Sequence, residues 1–130
     1  MVARERSLDR WYDVLPLYAG VQLELAQDVD DLLALGVPDM RLAALPKAYE
    51  HLMDESGAER RFRDAAPMVA DLCDDLATYG LPELLQHDDL HDGQVFVRDG
   101  RHLVLDWGNA CISHPFFTLS VTLRECWPGA

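Results

Sequence analysis

The periodicity of this 130-residue chain changes once, at Gly80, and that change restricts the fold more than any other feature. Upstream, apolar residues recur at helical spacing. Downstream, the stretch Leu85–Trp107 reads LQHDDLHDGQVFVRDGRHLVLDW. Its order is short strand, acidic loop, short strand, Asp-Gly turn, short strand, and then a further Asp. A helical stripe and short β-rich runs suit different elements, so the two parts cannot be one kind of element. The chain is therefore expected to be α+β and mostly α-helical, with one small β-hairpin inserted near its end.

The helical part is expected over residues 7–80. Ser7 can cap a helix through Trp11, Leu15, Tyr18, Ala19, Gln22 and Leu25, with a kink or break at Pro16. Asp28 or Asp30 can start a short helix over Leu32, Leu33 and Leu35 that Gly36 stops. Pro46 suits the first turn of a helix through Ala48, Tyr49, Leu52 and Met53, and Asp54–Gly57 reads as a loop. The strongest helical pattern covers 59–79, with Phe62, Val69, Leu72, Cys73, Leu76 and Tyr79 on one side and a bend near Pro67. Beyond Gly80, Val95-Phe96-Val97 and Leu103-Val104-Leu105 are strand-like and are joined at Asp99-Gly100, a good hairpin turn. A final helix is expected over 116–125. No repeat or linker divides the chain, so it reads as a single domain over 1–130.

Charge excludes one class of partner. Eleven basic residues against 23 acidic ones give a net charge of -12. A nucleic-acid binder needs a basic face, so nucleic acid is not an expected partner. Surface acidity suits a divalent metal or a cationic substrate, and it also serves solubility alone. No apolar run has the ~20 residues that cross a bilayer, so no membrane partner is expected. Cys73, Cys111 and Cys126 stand at unrelated spacings and read as reduced thiols of a cytoplasmic protein.

The acidic loop carries the chemistry. His87, Asp89 and Leu90 fall in the register H-x-D-L-x-x-x-N of a kinase catalytic loop, with Gln94 at the Asn position. Asp106 follows where the metal-binding Asp of a D-F-G-like element would stand. The hairpin carries Gln94 and Asp106 on adjacent strand ends, where oxygens from both can reach one hard cation. Loop Asp and His residues also serve turns and hydrogen bonds alone. It is the register, the hairpin and the second Asp together that are specific. HDDLH alone would also suit a zinc or two-metal hydrolase, but His51, His102 and His114 form no matching motif. Asp88 and Asp92 read as solvated or bound to loop N–H groups, and Cys111 as a small buried residue rather than a nucleophile.

The segment QHDDLHDGQVFVRDGRHLVLDWGNACISHPFFTL closely resembles the aminoglycoside phosphotransferase family of kinase-like small-molecule phosphotransferases. The family pattern runs H-G-D-L-H-P-G-N-V, a hairpin, I-D-W-G-D-A and G-H-P-F-x-D-L. Matching residues are His87, Asp89, Leu90, His91, Gly93, Val95, Asp106, Trp107, Gly108, Ala110, His114, Pro115 and Phe116. The resemblance implies that the chain is a kinase-like C-terminal lobe that passes the γ-phosphate of ATP to a hydroxyl of a small polar molecule. Asp89 would be the catalytic base, Asp106 and Gln94 would hold Mg²⁺, and His87 and His91 would lie at the cofactor, with His87 bracing the loop. Gln94, Asp88, Asp92 and Thr118 depart from the family's Asn, Gly, Pro and Asp.

No Gly-rich strand-turn-strand and no strand Lys with a partner Glu occurs, and Lys47, the only lysine, lies in a helical context. The N-terminal ATP-gripping lobe is thus expected to be absent. Two alternatives follow: a truncated, non-catalytic remnant or binding module, and a lobe that pairs with a separately encoded N-terminal lobe or with itself.

Overall fold

The computed structural model describes residues 8–126. Helix α1 (Asp9–Glu24) buries Trp11, Val14, Tyr18 and Gln22 along one stripe. It runs unbroken through Pro16, so of the kink or break expected there the break does not occur. The carbonyl that Pro16 leaves without an N–H belongs to Tyr12, on the exposed side, where water can satisfy it. Ser7, the expected cap, lies outside the described residues. A 3₁₀ turn (Leu25–Asp28) leads into α2 (Val29–Ala34), which starts at Asp28 and ends before Gly36 in the positive-φ region.

Helix α3 (Leu45–Ser56) has Pro46 in its first turn and extends through most of the expected loop at 54–57. Gly57, at φ 62°, supplies the left-handed conformation that stops it. The single bent helix expected over 59–79 is instead two helices, α4 (Arg60–Arg63) and α5 (Ala66–Ala77). Pro67 begins α5 rather than bending a longer helix, because a first-turn residue needs no N–H partner. Phe62 is consequently exposed on α4, and Cys73 is the buried residue of α5.

Two small antiparallel sheets follow. Strands β2 (Val95–Arg98) and β3 (Arg101–Val104) form the expected hairpin, pairing Val95 with Val104 across the turn at Asp99-Gly100. Strand β1 (Leu84–Gln86) pairs with β4 (Cys111–Ser113), Leu85 opposite Ile112, and β4 is a strand the sequence pattern did not reveal. The other edge of β4 is held by the 38–40 connector: Ile112 N–H donates to Pro38 O and Met40 N–H to Ile112 O. The last helix, α6 (Leu119–Cys126), begins at Leu119 rather than Phe116, since 116–118 are taken up by turns closing on His114. The architecture is α+β and mostly helical. Its core of Trp11, Val14, Tyr18, Leu90 and Val95 lies directly beneath the acidic loop, flanked by Leu15, Val104 and Trp107. Among the described residues no helix is long and apolar enough to cross a membrane.

Candidate active site

The acidic loop leaves β1 at His87 and returns to the hairpin through a 3₁₀ turn over Asp92–Gln94. Leu90 is fully buried and pins the middle of the loop to the core, while its carbonyl accepts a 2.6 Å hydrogen bond from Thr122 of α6. Asp88 takes a left-handed conformation at φ 64°. An Asp tolerates that region better than most residues, and the family pattern has Gly there. Burial, and then the neighbouring charge of Asp89, push the Asp88 carboxyl above its ordinary range.

His87 is completely buried. Its Nδ1 accepts the Asp89 backbone N–H at 3.2 Å, so Nε2 carries the proton and donates to Leu105 O at 2.8 Å. Both ring nitrogens are engaged within the chain, and the ring lies 4.8 Å from that of Trp107. His87 thereby ties the residue of the expected base to the residue preceding Asp106. His91 is half-buried. Its Nδ1 accepts the Gly93 N–H at 3.0 Å, and its Nε2 stands 3.7 Å from Asp89 Oδ2. A Cβ on Gly93 would come within 2.7 Å of the His91 ring, so a side chain there would displace it.

Gln94 and Asp106 meet as the hairpin register requires. Leu105 N–H donates to Gln94 O, and Gln94 Nε2 donates to Asp106 Oδ2 at 3.2 Å. Asp106 itself is left-handed at φ 61°. Gln94 shares one face of the hairpin with Phe96, Leu103 and Leu105, all exposed, whereas Val95 and Val104 face the core. An apolar ledge therefore adjoins the polar pair.

Magnesium is held through one or two carboxylates and completes its shell with phosphate oxygens and water. Asp106 with the Gln94 amide oxygen, which the contact to Asp106 leaves unengaged, fits a shared site of that kind. Among the described residues no three His, Cys, Asp or Glu side chains group into a self-sufficient metal set. Cys111 is buried, and burial raises its thiol to about 11, so it stays protonated near neutral pH.

Several supporting residues escaped sequence reasoning. Arg10 of α1 pairs with Asp92 at 2.7 Å and also donates to Val95 O, bracketing Gln94 from both sides. Tyr18, Gln22, Gln86 and Thr118 form a buried polar cluster under the loop. Burial raises the Tyr18 phenol, which stays a hydroxyl. The one signal for this cluster was Thr118 at a position where the family pattern has Asp.

No curated protein and no solved structure matches the chain. One family model does, described as the phosphotransferase enzyme family, over residues 5–130. That span takes in the loop, the hairpin and every helix packed around them. The chain thus belongs to the phosphotransferase enzyme family.

Proposed function

We propose that the chain is the kinase-like C-terminal lobe of an ATP-dependent O-phosphotransferase, of the aminoglycoside phosphotransferase type, acting on a hydroxyl of a small polar molecule. The observation that carries this reading is the contact of Gln94 with Asp106 at the root of the hairpin, beside the loop that bears Asp89.

Phosphoryl transfer asks a protein for position and charge more than for covalent help. Asp89 is the base: its half-exposed carboxylate orients the acceptor hydroxyl and takes its proton as the hydroxyl oxygen bonds to the γ-phosphorus and the bond from that phosphorus to the departing ADP breaks. His91 stands beside Asp89, its Nε2 3.7 Å from the carboxylate, and His87 holds the loop backbone behind it. Asp106 and Gln94 would hold Mg²⁺, whose chemistry there is to neutralise charge on the phosphate oxygens. Phe96, Leu103 and Leu105 offer the purine an apolar surface next to that pair. A phosphate-gripping lobe would close over the same face.

The test is Mg²⁺-dependent ATP turnover with a panel of amino alcohols and aminoglycosides. Acceptor-dependent ADP release is expected, and Asp89→Ala is expected to lower it about 10²–10⁴-fold. Turnover unchanged in Asp89→Ala would sink the mechanism. A chain that neither turns over nor binds Mg-ATP by calorimetry would be a non-catalytic remnant.

A further inference from the structure

Two backbone N–H groups at the start of the acidic loop end on hydroxyls brought from far along the chain. His87 N–H reaches Tyr18 Oη at 3.0 Å, and Asp88 N–H reaches Thr118 Oγ1 at 3.2 Å. The two hydroxyl oxygens are themselves 2.8 Å apart. Gln86, Thr118 and Tyr18 are buried, so water cannot substitute for a missing partner.

The proton inventory determines how this cluster is wired. The Gln86 amide nitrogen donates to Leu85 O at 3.1 Å, which aims its Oε1 at Thr118. Thr118 donates its one proton to that oxygen at 3.0 Å. The bond between the hydroxyls must then run from Tyr18 to Thr118, since neither oxygen has a second proton. With both protons committed, each oxygen offers the loop only lone pairs. Tyr18 receives His87 N–H and, at 3.4 Å, Gln22 Nε2, while Thr118 receives Asp88 N–H. One arrangement satisfies every group, and it fixes the two consecutive peptide units that lead into Asp88. The left-handed turn at Asp88 lies between those units and the carboxylate.

We infer that Tyr18 and Thr118 are positioning residues whose paired hydroxyls set where the Asp89 carboxylate stands. The role rests on the reading of Asp89 as the base. Neither side chain touches the reacting atoms; both act through the loop backbone. Catalysis is sensitive to such placement, because an error of about 1 Å can cost on the order of 10²-fold in rate.

Tyr18→Phe removes the hydroxyl and keeps the ring beside Trp107, and Thr118→Val removes the second hydroxyl at similar shape. Thr118→Ser keeps it. Two quantities are read: hydrogen exchange of the His87 and Asp88 amides by NMR, and kcat and KM for Mg-ATP with the best acceptor found. In Tyr18→Phe and Thr118→Val, exchange at those two amides is expected to speed up about tenfold or more relative to β1. In the same variants kcat is expected to fall about 10–100-fold while KM for ATP stays within about twofold. Thr118→Ser is expected to behave as the wild type, and the Ser–Val contrast carries the test if Tyr18→Phe does not fold. Unchanged exchange in both hydroxyl-deletion variants overturns the wiring. Unchanged kcat in them, with Asp89→Ala inactive, overturns the positioning role and leaves the proposed function standing. An active Asp89→Ala removes the base, and the positioning role falls with it.

Discussion

Leu90 stands between the expected base and the core, and replacing it by Ala should be among the costliest single changes in the loop. Its side chain is 0% exposed and sits among Trp11, Val14, Tyr18 and Val95. Two of those neighbours are large aromatic side chains, and Tyr18 is further held by its hydrogen bonds to His87 and Thr118. Such walls collapse poorly into a void, so the cost should lie in the upper part of the usual range for Leu→Ala, about 4 kcal/mol. At roughly 4 °C per kcal/mol for a chain of this size, the thermal midpoint should drop by about 15 °C. Leu52→Ala is the control, because Leu52 is 56% exposed on α3 and should change stability by no more than ~0.5 kcal/mol. Urea unfolding followed by tryptophan fluorescence and by far-ultraviolet circular dichroism measures both variants. A Leu90→Ala cost below about 1 kcal/mol, or one equal to that of Leu52→Ala, would refute the placement of Leu90 as the loop's anchor.

Two further outcomes are expected. Gln94→Asn restores the family's residue and shortens the side chain that meets Asp106 at 3.2 Å; it should lower the Mg²⁺ concentration for half-maximal turnover and leave the melting midpoint nearly unchanged. A magnesium titration checks this, and an unchanged requirement would count against Gln94 as a ligand. The Cys111 thiol, raised to about 11 by burial and by Asp88, holds its proton more tightly folded than unfolded. Its contribution is therefore intact below the ordinary thiol range and is lost as pH climbs from there toward 11, at up to about 1.4 kcal/mol per pH unit. Denaturation curves between pH 8 and 11 should accordingly fall less steeply for Cys111→Ala than for the wild type, and equal slopes would contradict the assignment.

What could be read from the sequence was whatever is encoded locally. The hairpin was legible because two β-rich runs and an Asp-Gly turn lie within a dozen residues, and its register alone brings Gln94 to Asp106. Gly36 and Pro46 worked as stop and start signals for the same reason. Proline inside an apolar stripe was ambiguous: Pro16 sits harmlessly on the exposed side of α1, while Pro67 opens a new helix. Strand β4 was not legible, since three residues hold no period and its partners, β1 and the 38–40 connector, are distant in sequence. Tyr18 lay on a recognised helical stripe, yet nothing local distinguishes a core tyrosine from one whose hydroxyl meets Thr118 a hundred positions away.

The pairing of β1 with β4 has a consequence for how the site comes into being. These strands flank the whole segment from His87 to Ala110, so the loop and the hairpin hang between two points clamped together as Gln86 opposite Cys111. Closing that span costs chain entropy before any of its internal contacts can repay it. The hairpin can form early and alone, but Asp89 acquires its surroundings only once the clamp shuts and α1 and α6 dock against it. The native setting of Asp89 should therefore appear late in refolding, after most of the helical signal has returned.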